Sequence, residues 1–241
     1  RRMIKATGDI ASACYQQTEA VSDILGVAEK SIFDIIMRRH EGSTLTHIAD
    51  VLPDTYLRIE QLTELKGGID GVPTGFVDLD NLLTGLHGGE LVIVGARPSM
   101  GKTSFGMNLI GYAATMAGKT TAVFSLEMPA EQLAMRMLCT EARVDMQRVR
   151  RGQLSDDEWQ SLCNAMVSIG PATIYVDATP GITPSGVRSK ARRLQLEHGL
   201  DVIMIDYLSL MTGVGKFGSR QEEVSSISRS LKALAIELGV P

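Results

Sequence analysis

Residues 91–104 of the chain read Leu91-Val92-Ile93-Val94-Gly95-Ala96-Arg97-Pro98-Ser99-Met100-Gly101-Lys102-Thr103-Ser104. The run begins with four apolar residues, three of them β-branched, which predicts a buried strand. A turn containing Gly, Pro and Ser follows, and a helical pattern extends from Lys102 to about Gly118. A strand, a turn and a helix in this order predict a phosphate-binding P-loop.

The residue types of this loop suit a nucleoside triphosphate. Gly101 lets the backbone N–H groups approach the phosphates, Lys102 supplies a charge for the β- and γ-phosphates, and Thr103 supplies a hydroxyl for Mg²⁺. The strict spacing has glycine where this chain has Ala96, a substitution that some families tolerate. The alternative is an ordinary turn that happens to contain Gly-Lys-Thr. The predicted binding residues are Ala96, Arg97, Pro98, Ser99, Met100, Gly101, Lys102, Thr103 and Ser104.

Composition narrows the classes of function. The chain has 241 residues, of which 44% are hydrophobic and 22% charged, and its net charge is −4. Any nucleic acid must therefore be held by a local basic patch. The three cysteines form no CxxC pair and the four histidines show no ligand spacing, which predicts reduced thiols in a cytoplasmic protein without a metal cluster. We find no apolar run that would span a membrane and no signal peptide.

Three parts are predicted along the chain. Residues 1–50 begin in mid-pattern with helical spacing, which predicts the C-terminal part of a helical N-terminal domain, or else a free-standing two-helix appendage. Residues 51–67 hold a linker helix from about Tyr56 to Leu65, initiated at Pro53, which docks on a neighbouring subunit or on its own domain. Residues 68–241 alternate strands with helices, which predicts a mostly parallel sheet covered on both faces and incomplete at the C-terminus.

The expected elements of this third part are a helix over Val77–Leu83, a strand over Thr121–Ser125, a helix over Pro129–Glu141, a helix from Ser155, a strand over Thr173–Val176, a helix from Thr183 to His198, a strand over Val202–Ile205 and a helix from about Arg220 to Leu238.

Two carboxylates follow predicted strands. Asp206 ends the strand Val202–Ile205, and in P-loop ATPases such a carboxylate lies beside Mg²⁺, although it could also cap the strand end. Glu127 follows the strand Thr121–Ser125 and faces the same crevice. It is placed either to act as general base on the attacking water or to face the positive end of the helix at Pro129, and the spacing leaves both open.

Basic residues form three clusters. The glycine-rich loop at 213–220 combines Lys216, Arg220 and Phe217, which suits single-stranded nucleic acid, with a solvated surface loop as the alternative. The second cluster consists of Arg148, Arg150 and Arg151. The third lies on a predicted helix, where a solvated face is expected, and consists of Arg188, Lys190, Arg192 and Arg193.

Four sequence runs carry a resemblance to a known family. They are Ala96–Thr103, Ser125–Met128, Ile205–Leu208 and Ile227–Lys232. Together and in this order they resemble the bacterial replicative DNA helicases of the hexameric DnaB family. The resemblance covers about Gly68 to Pro241, and residues 1–65 are similar to the end of the family's helical N-terminal domain and its linker helix.

The resemblance implies a RecA-like ATPase core that assembles as a homohexamer around single-stranded DNA, with ATP and Mg²⁺ bound between subunits. It assigns catalysis to Lys102, Glu127 and Asp206, metal binding to Thr103 and Asp206, and DNA binding to the loop after Asp206. We add Arg150 and Arg151 to the predicted DNA-binding residues, which are then Lys216, Arg220, Arg150 and Arg151. The family's partners are primase and a helicase loader, and its arginine finger and sensor glutamine lie beyond Pro241.

Two other functions compete with a ring helicase. One is a recombinase-like or clock-type RecA ATPase, and the other is a non-catalytic fragment that binds nucleotide or DNA without turnover. The runs around Met100, Met128 and Tyr207 favour the helicase over the recombinase. Because the C-terminal part is missing, a non-catalytic fragment stays an alternative interpretation.

Overall fold

A computed structural model of the chain describes residues 7, 8, 11, 47–64, 68–97, 99–213, 215 and 217–241. The chain divides into two compact units, Arg1–Gln61 and Leu62–Pro241. The helices predicted before residue 40 lie almost wholly outside the described residues. The domain boundaries predicted at residues 50 and 67 stay predictions.

The elements in chain order are α1 (Ile48–Glu64), α2 (Val77–Leu83), α3 (Lys102–Thr115), β1 (Thr121–Ser125), α4 (Ala130–Ala142), α5 (Met146–Arg151), α6 (Asp156–Ile169), β2 (Ile174–Asp177), α7 (Pro184–His198), β3 (Val202–Asp206), a 3₁₀ turn (Leu208–Leu210) and α8 (Arg220–Leu238).

Helix α1 corrects one prediction. We expected Pro53 to initiate a helix near Tyr56, but α1 begins at Ile48 and contains Pro53. Proline inside a helix removes one backbone hydrogen bond and crowds the carbonyl four residues before it, yet Pro53 is the sixth residue of α1 and the helix continues through it. None of the residues of α1 is buried.

The sheet is parallel and has the order β2-β1-β3 in the described part of the chain. Ser125 pairs with Asp206 and Phe124 with Asp177, so the three strands end side by side. Successive residues of β1 point to opposite faces of the sheet: Phe124 packs in one buried cluster with α7 and α8, and Val123 packs in another with α3 and α4. The predicted parallel sheet with helices on both faces is confirmed.

The predicted buried strand at Leu91–Val94 is wrong. This segment makes no strand pairing with the described residues, and Ile93 is 68% exposed. A strand requires a neighbour that completes its ladder, whatever the apolar content of its sequence. Nearby, Gly89 N–H donates to the Val240 carbonyl at 3.2 Å, and Ile203 N–H of β3 donates to the Pro241 carbonyl at 3.0 Å.

The predicted helix ends at Ser155, Thr183 and Leu238 are confirmed, and each has a capping residue. Ser155 forms a capping box with Glu158 before α6, and Thr183 accepts a hydrogen bond from Gly186 N–H at the start of α7. Gly239 ends α8 in the left-handed region. Helix α5 was not predicted, because six residues are too few for a periodic pattern.

Part of the third basic cluster also differs from expectation. Arg188 and Arg192 of α7 form ion pairs with Glu237 of α8, and the side chain of Arg188 is only 18% exposed. The pKa of Arg188 is lowered, because the effect of burial is larger than the opposing effect of the neighbouring Glu237 carboxylate. These two arginines join two helices, so the predicted solvated face is wrong for them. Arg193, paired with Glu197, does lie on an exposed face.

Candidate nucleotide-binding site

The N-terminus of α3 is open to a ligand. Gly101 is the N-cap residue, with φ 85°, a left-handed conformation that favours glycine. No side chain in the described structure caps this helix end. The first N–H groups of a helix have no intrahelical partner and carry the positive end of its dipole, so they are available to an anion. Pro98 of the loop lies outside the described residues.

Three of the predicted site residues lie together. Lys102 Nζ is 3.0 Å from Asp206 Oδ1, and Thr103 Oγ1 donates a hydrogen bond of 2.6 Å to Asp206 Oδ2. The Asp206 side chain is 4% exposed and that of Lys102 is 29% exposed. Burial of a carboxylate is tolerated where a cation and a hydrogen-bond donor are paired with it, as they are here.

Tyr207 is a contact that sequence reasoning missed. Lys102 Nζ lies 3.9 Å from the centre of the Tyr207 ring, a cation–π geometry. The residue follows Asp206 directly, so the end of β3 supplies both an anion and an aromatic face to the same lysine. The run Ile205–Leu208 includes Tyr207, but an aromatic residue directly after a strand does not indicate any particular role.

Glu127 lies in the turn between β1 and α4. Leu126 N–H donates to the Asp206 carbonyl at 2.7 Å, which joins this turn to the end of β3. Glu127 itself is exposed. Helix α4 has Pro129 as its N-cap residue, and no side-chain hydrogen bond caps this helix end in the described structure.

A magnesium nucleotide fits these residues. Mg²⁺ prefers oxygen ligands, keeps several waters and is held by one or two protein groups together with phosphate oxygens. Thr103 and Asp206 offer a hydroxyl and a carboxylate 2.6 Å apart, next to the open helix end. No cluster of three or more side chains that could together hold a metal ion is found in the described residues.

The predicted DNA-binding residues are separated along the chain. Arg150 and Arg151 are exposed in the last turn of α5. Arg220 begins α8 and forms an ion pair with Glu223 and a hydrogen bond to the Ser209 carbonyl. Lys216 lies outside the described residues.

The parallel sheet, the helices on both its faces and the open N-terminus of α3 beside Asp206 define a RecA-like P-loop domain. A family model, the DnaB-like helicase C-terminal domain, matches residues 71–241. The chain belongs to this family.

Comparisons with individual proteins agree with this assignment. The chain is 47% identical to the replicative DNA helicase DnaC of Bacillus subtilis (strain 168) over 242 residues, which cover 100% of this chain and 53% of that protein. It therefore spans about half the length of this curated relative.

Two solved structures are similar in fold. One, described as an ATPase domain, superposes with a TM-score of 0.75 and 31% identity, covering 82% of this chain and 69% of that one. The other, a DnaB-like replicative helicase whose structure was described together with its interactions with primase, gives a TM-score of 0.72 and 27% identity, covering 100% of this chain and 56% of that one. Among the described helices, none is long and apolar enough to cross a membrane.

Proposed function

We propose that this chain is the motor part of a cytoplasmic replicative DNA helicase, which hydrolyses ATP to move on single-stranded DNA and unwind the duplex at the replication fork. One observation carries the proposal. In a chain of the DnaB-like helicase family, Lys102 and Thr103 meet the buried Asp206 at the open N-terminus of a helix. That is where a nucleoside triphosphate with Mg²⁺ would bind.

The proposed roles follow from the chemistry of each group. The N–H groups of α3 and the Lys102 ammonium would bind the phosphates, and Thr103 and Asp206 would hold Mg²⁺. When bound, Mg²⁺ neutralises charge on the phosphate oxygens. Glu127 takes a proton from the attacking water. At the same time the oxygen of the water bonds to the γ-phosphorus, and the bond between that phosphorus and the ADP oxygen breaks. Glu127 is exposed, so its carboxylate is accessible to water, as a general base for water must be.

DNA binding is proposed for four basic residues in two places. Arg150 and Arg151 are exposed, as phosphate contacts must be. Lys216 and Arg220 flank Phe217 in the glycine-rich loop, where charge and a flat ring together suit a single strand.

Assembly into a homohexamer and binding of primase and a helicase loader complete the proposal. Apolar side chains on α1, such as Tyr56 and Ile59, are more than half exposed, which suits a linker helix that docks on a neighbouring subunit. The solved DnaB-like helicase was described with primase. We propose the same interaction for this protein, whose chain spans about half the length of the curated relative it matches.

Two measurements on the purified protein test the proposal. We expect electron microscopy with an ATP analogue and single-stranded DNA to show closed rings, and a forked duplex to be separated with ATP but not with the analogue. Filaments would favour a recombinase-like ATPase. Nucleotide binding without rings, turnover or strand separation would favour a non-catalytic fragment.

A further inference from the structure

Arg136 joins the two halves of the candidate site. It projects from α4, where its Nη1 donates a 2.6 Å hydrogen bond to Ser104 Oγ and its Nη2 lies 3.9 Å from Met128 Sδ. Ser104 follows Thr103 at the start of α3, and Met128 follows Glu127. One guanidinium thus contacts the P-loop helix and the turn that carries the proposed general base.

The same turn is held from its other side by the sheet. Ser125 Oγ donates to the Met128 carbonyl at 2.7 Å and accepts from Met128 N–H at 3.2 Å. Leu126 N–H donates to the Asp206 carbonyl. These contacts fix the turn to β1 and β3, and the contact through Arg136 fixes it to α3. Arg136 thus connects the turn that carries Glu127 to the P-loop helix as well.

The hydrogen bonding of Arg136 is incomplete. Its Nε is buried and has no hydrogen-bond partner in the described structure. Buried donors are almost always satisfied, so an unsatisfied one beside a candidate site points to a functional role or to a bound water. Arginine suits this place because its planar fork reaches two partners at once, which the single ammonium of lysine does not.

We infer that Arg136 is a positioning residue that couples the P-loop to Glu127. Through Ser104 and Met128, it transmits the position of α3 with bound nucleotide to the turn that carries the general base. Arg136 takes no part in any bond that forms or breaks. The inference rests on the proposed ATPase function and adds to it the residue that links triphosphate binding to placement of the base.

Four variants and a matched control test the inference. They are Arg136→Met, Arg136→Lys, Ser104→Ala, the double variant Arg136→Met with Ser104→Ala, and Arg193→Met as the control, an exposed arginine on α7. For each, kcat is measured at saturating ATP, and the Kd is measured for the slowly hydrolysed analogue ATPγS.

We expect Arg136→Met to lower kcat by about 100-fold, the effect of a small misplacement of a catalytic group, while the Kd stays within about twofold. Arg136→Lys should stay nearer to Arg136→Met than to the wild type. The double variant should lose no more than the stronger single variant, because both changes break one connection. The control should match the wild type in both quantities.

Several results would overturn the inference. They are an unchanged kcat in Arg136→Met, a rise in Kd as large as the fall in kcat, full activity in Arg136→Lys, and additive losses in the double variant. If the wild type fails to bind ATPγS, the proposed function fails instead, which separates the two outcomes.

Hydrogen exchange gives a second readout that needs no turnover. ATPγS should slow amide exchange of residues 125–128 in the wild type and in Arg193→Met, and should leave it unchanged in Arg136→Met. Equal slowing in Arg136→Met would contradict the coupling even if hydrolysis by the chain is slow.

Discussion

Thr103 Oγ1 donates a 2.6 Å hydrogen bond to Asp206 Oδ2, which joins the first turn of α3 to the last residue of β3. The other Asp206 oxygen lies 3.0 Å from Lys102 Nζ. A change at any of these three residues therefore alters the other two, because a buried carboxylate needs both its partners.

Lys102→Ala should abolish nucleotide binding and also lower stability. Asp206 would keep the Thr103 hydroxyl but lose its counter-ion, at a cost of roughly 1–3 kcal/mol for a buried polar group left unpaired. Urea unfolding measures this loss, and titration with ATPγS measures binding.

Adding Asp206→Asn to Lys102→Ala is the matched control for stability. Removing the uncompensated charge should recover most of the lost free energy of unfolding without recovering nucleotide binding. If both variants unfold like the wild type, the Lys102–Asp206 pair does not contribute to stability as the burial of Asp206 suggests.

Glu127→Gln should bind ATPγS with wild-type affinity and hydrolyse ATP about 100-fold more slowly, because the amide cannot accept the proton from water. Steady-state hydrolysis with single-stranded DNA present measures the rate. Glu131→Gln, an exposed residue in the first turn of α4, is the matched control and should leave the rate unchanged. Weakened binding with normal turnover in Glu127→Gln would speak against a general base.

The part of the fold that could be predicted is the part with local signals. The strand Thr121–Ser125 and the helix Val77–Leu83 carry their apolar patterns within their own residues, and both predictions are confirmed. The segment Leu91–Val94 carries an equally apolar pattern, but a strand depends on a partner elsewhere in the chain. Sequence patterns do not report whether that partner is present.

The residues of the candidate site also divide into those that have a local sequence signal and those that do not. Lys102, Thr103 and Asp206 were predicted because each has a motif, and the structure brings them together. Arg136 and Tyr207 were not assigned roles. Their contacts join positions far apart in the sequence, and neither residue type at its place is distinctive.

Replacing Arg150 and Arg151 by alanine should weaken binding of single-stranded DNA of any sequence. If each contacts one phosphate, the slope of log affinity against log salt concentration should shrink by about 1.4, and the same change is expected for Lys216 with Arg220. Fluorescence anisotropy of a labelled oligonucleotide at several salt concentrations measures the slope. Arg193→Ala is the control. A slope equal to that of the control would mean that these residues lie on a solvated surface and do not contact DNA.

Glu223 should hold the base of the glycine-rich loop in a pH-dependent way. Its pKa is lowered by the hydrogen bond from Gly213 N–H and by the bond from Arg220. A lowered pKa means that the contact is present above the ordinary value for a glutamate and is lost as the pH falls through the lowered one. Protection of the Gly213 amide against exchange should therefore hold at pH 7 and fall in strongly acidic solution.

Glu223→Gln should lower Gly213 protection at pH 7 and remove its dependence on acidic pH. Glu222→Gln is the matched control, because Glu222 accepts from Gly218 N–H and makes no described contact with Gly213. Gly213 protection that is the same in all three proteins would contradict the role of Glu223.

The central claim is that Lys102, Thr103 and Asp206 form a magnesium–nucleotide site. Calorimetric titration with ATPγS, with Mg²⁺ and then with a chelator, tests it without requiring turnover. We predict that Mg²⁺ tightens binding at least tenfold in the wild type, and that Thr103→Val and Asp206→Asn each retain weak binding with little dependence on Mg²⁺. Wild-type affinity that is the same with Mg²⁺ and with chelator, or an undiminished Mg²⁺ effect in both variants, would contradict the account.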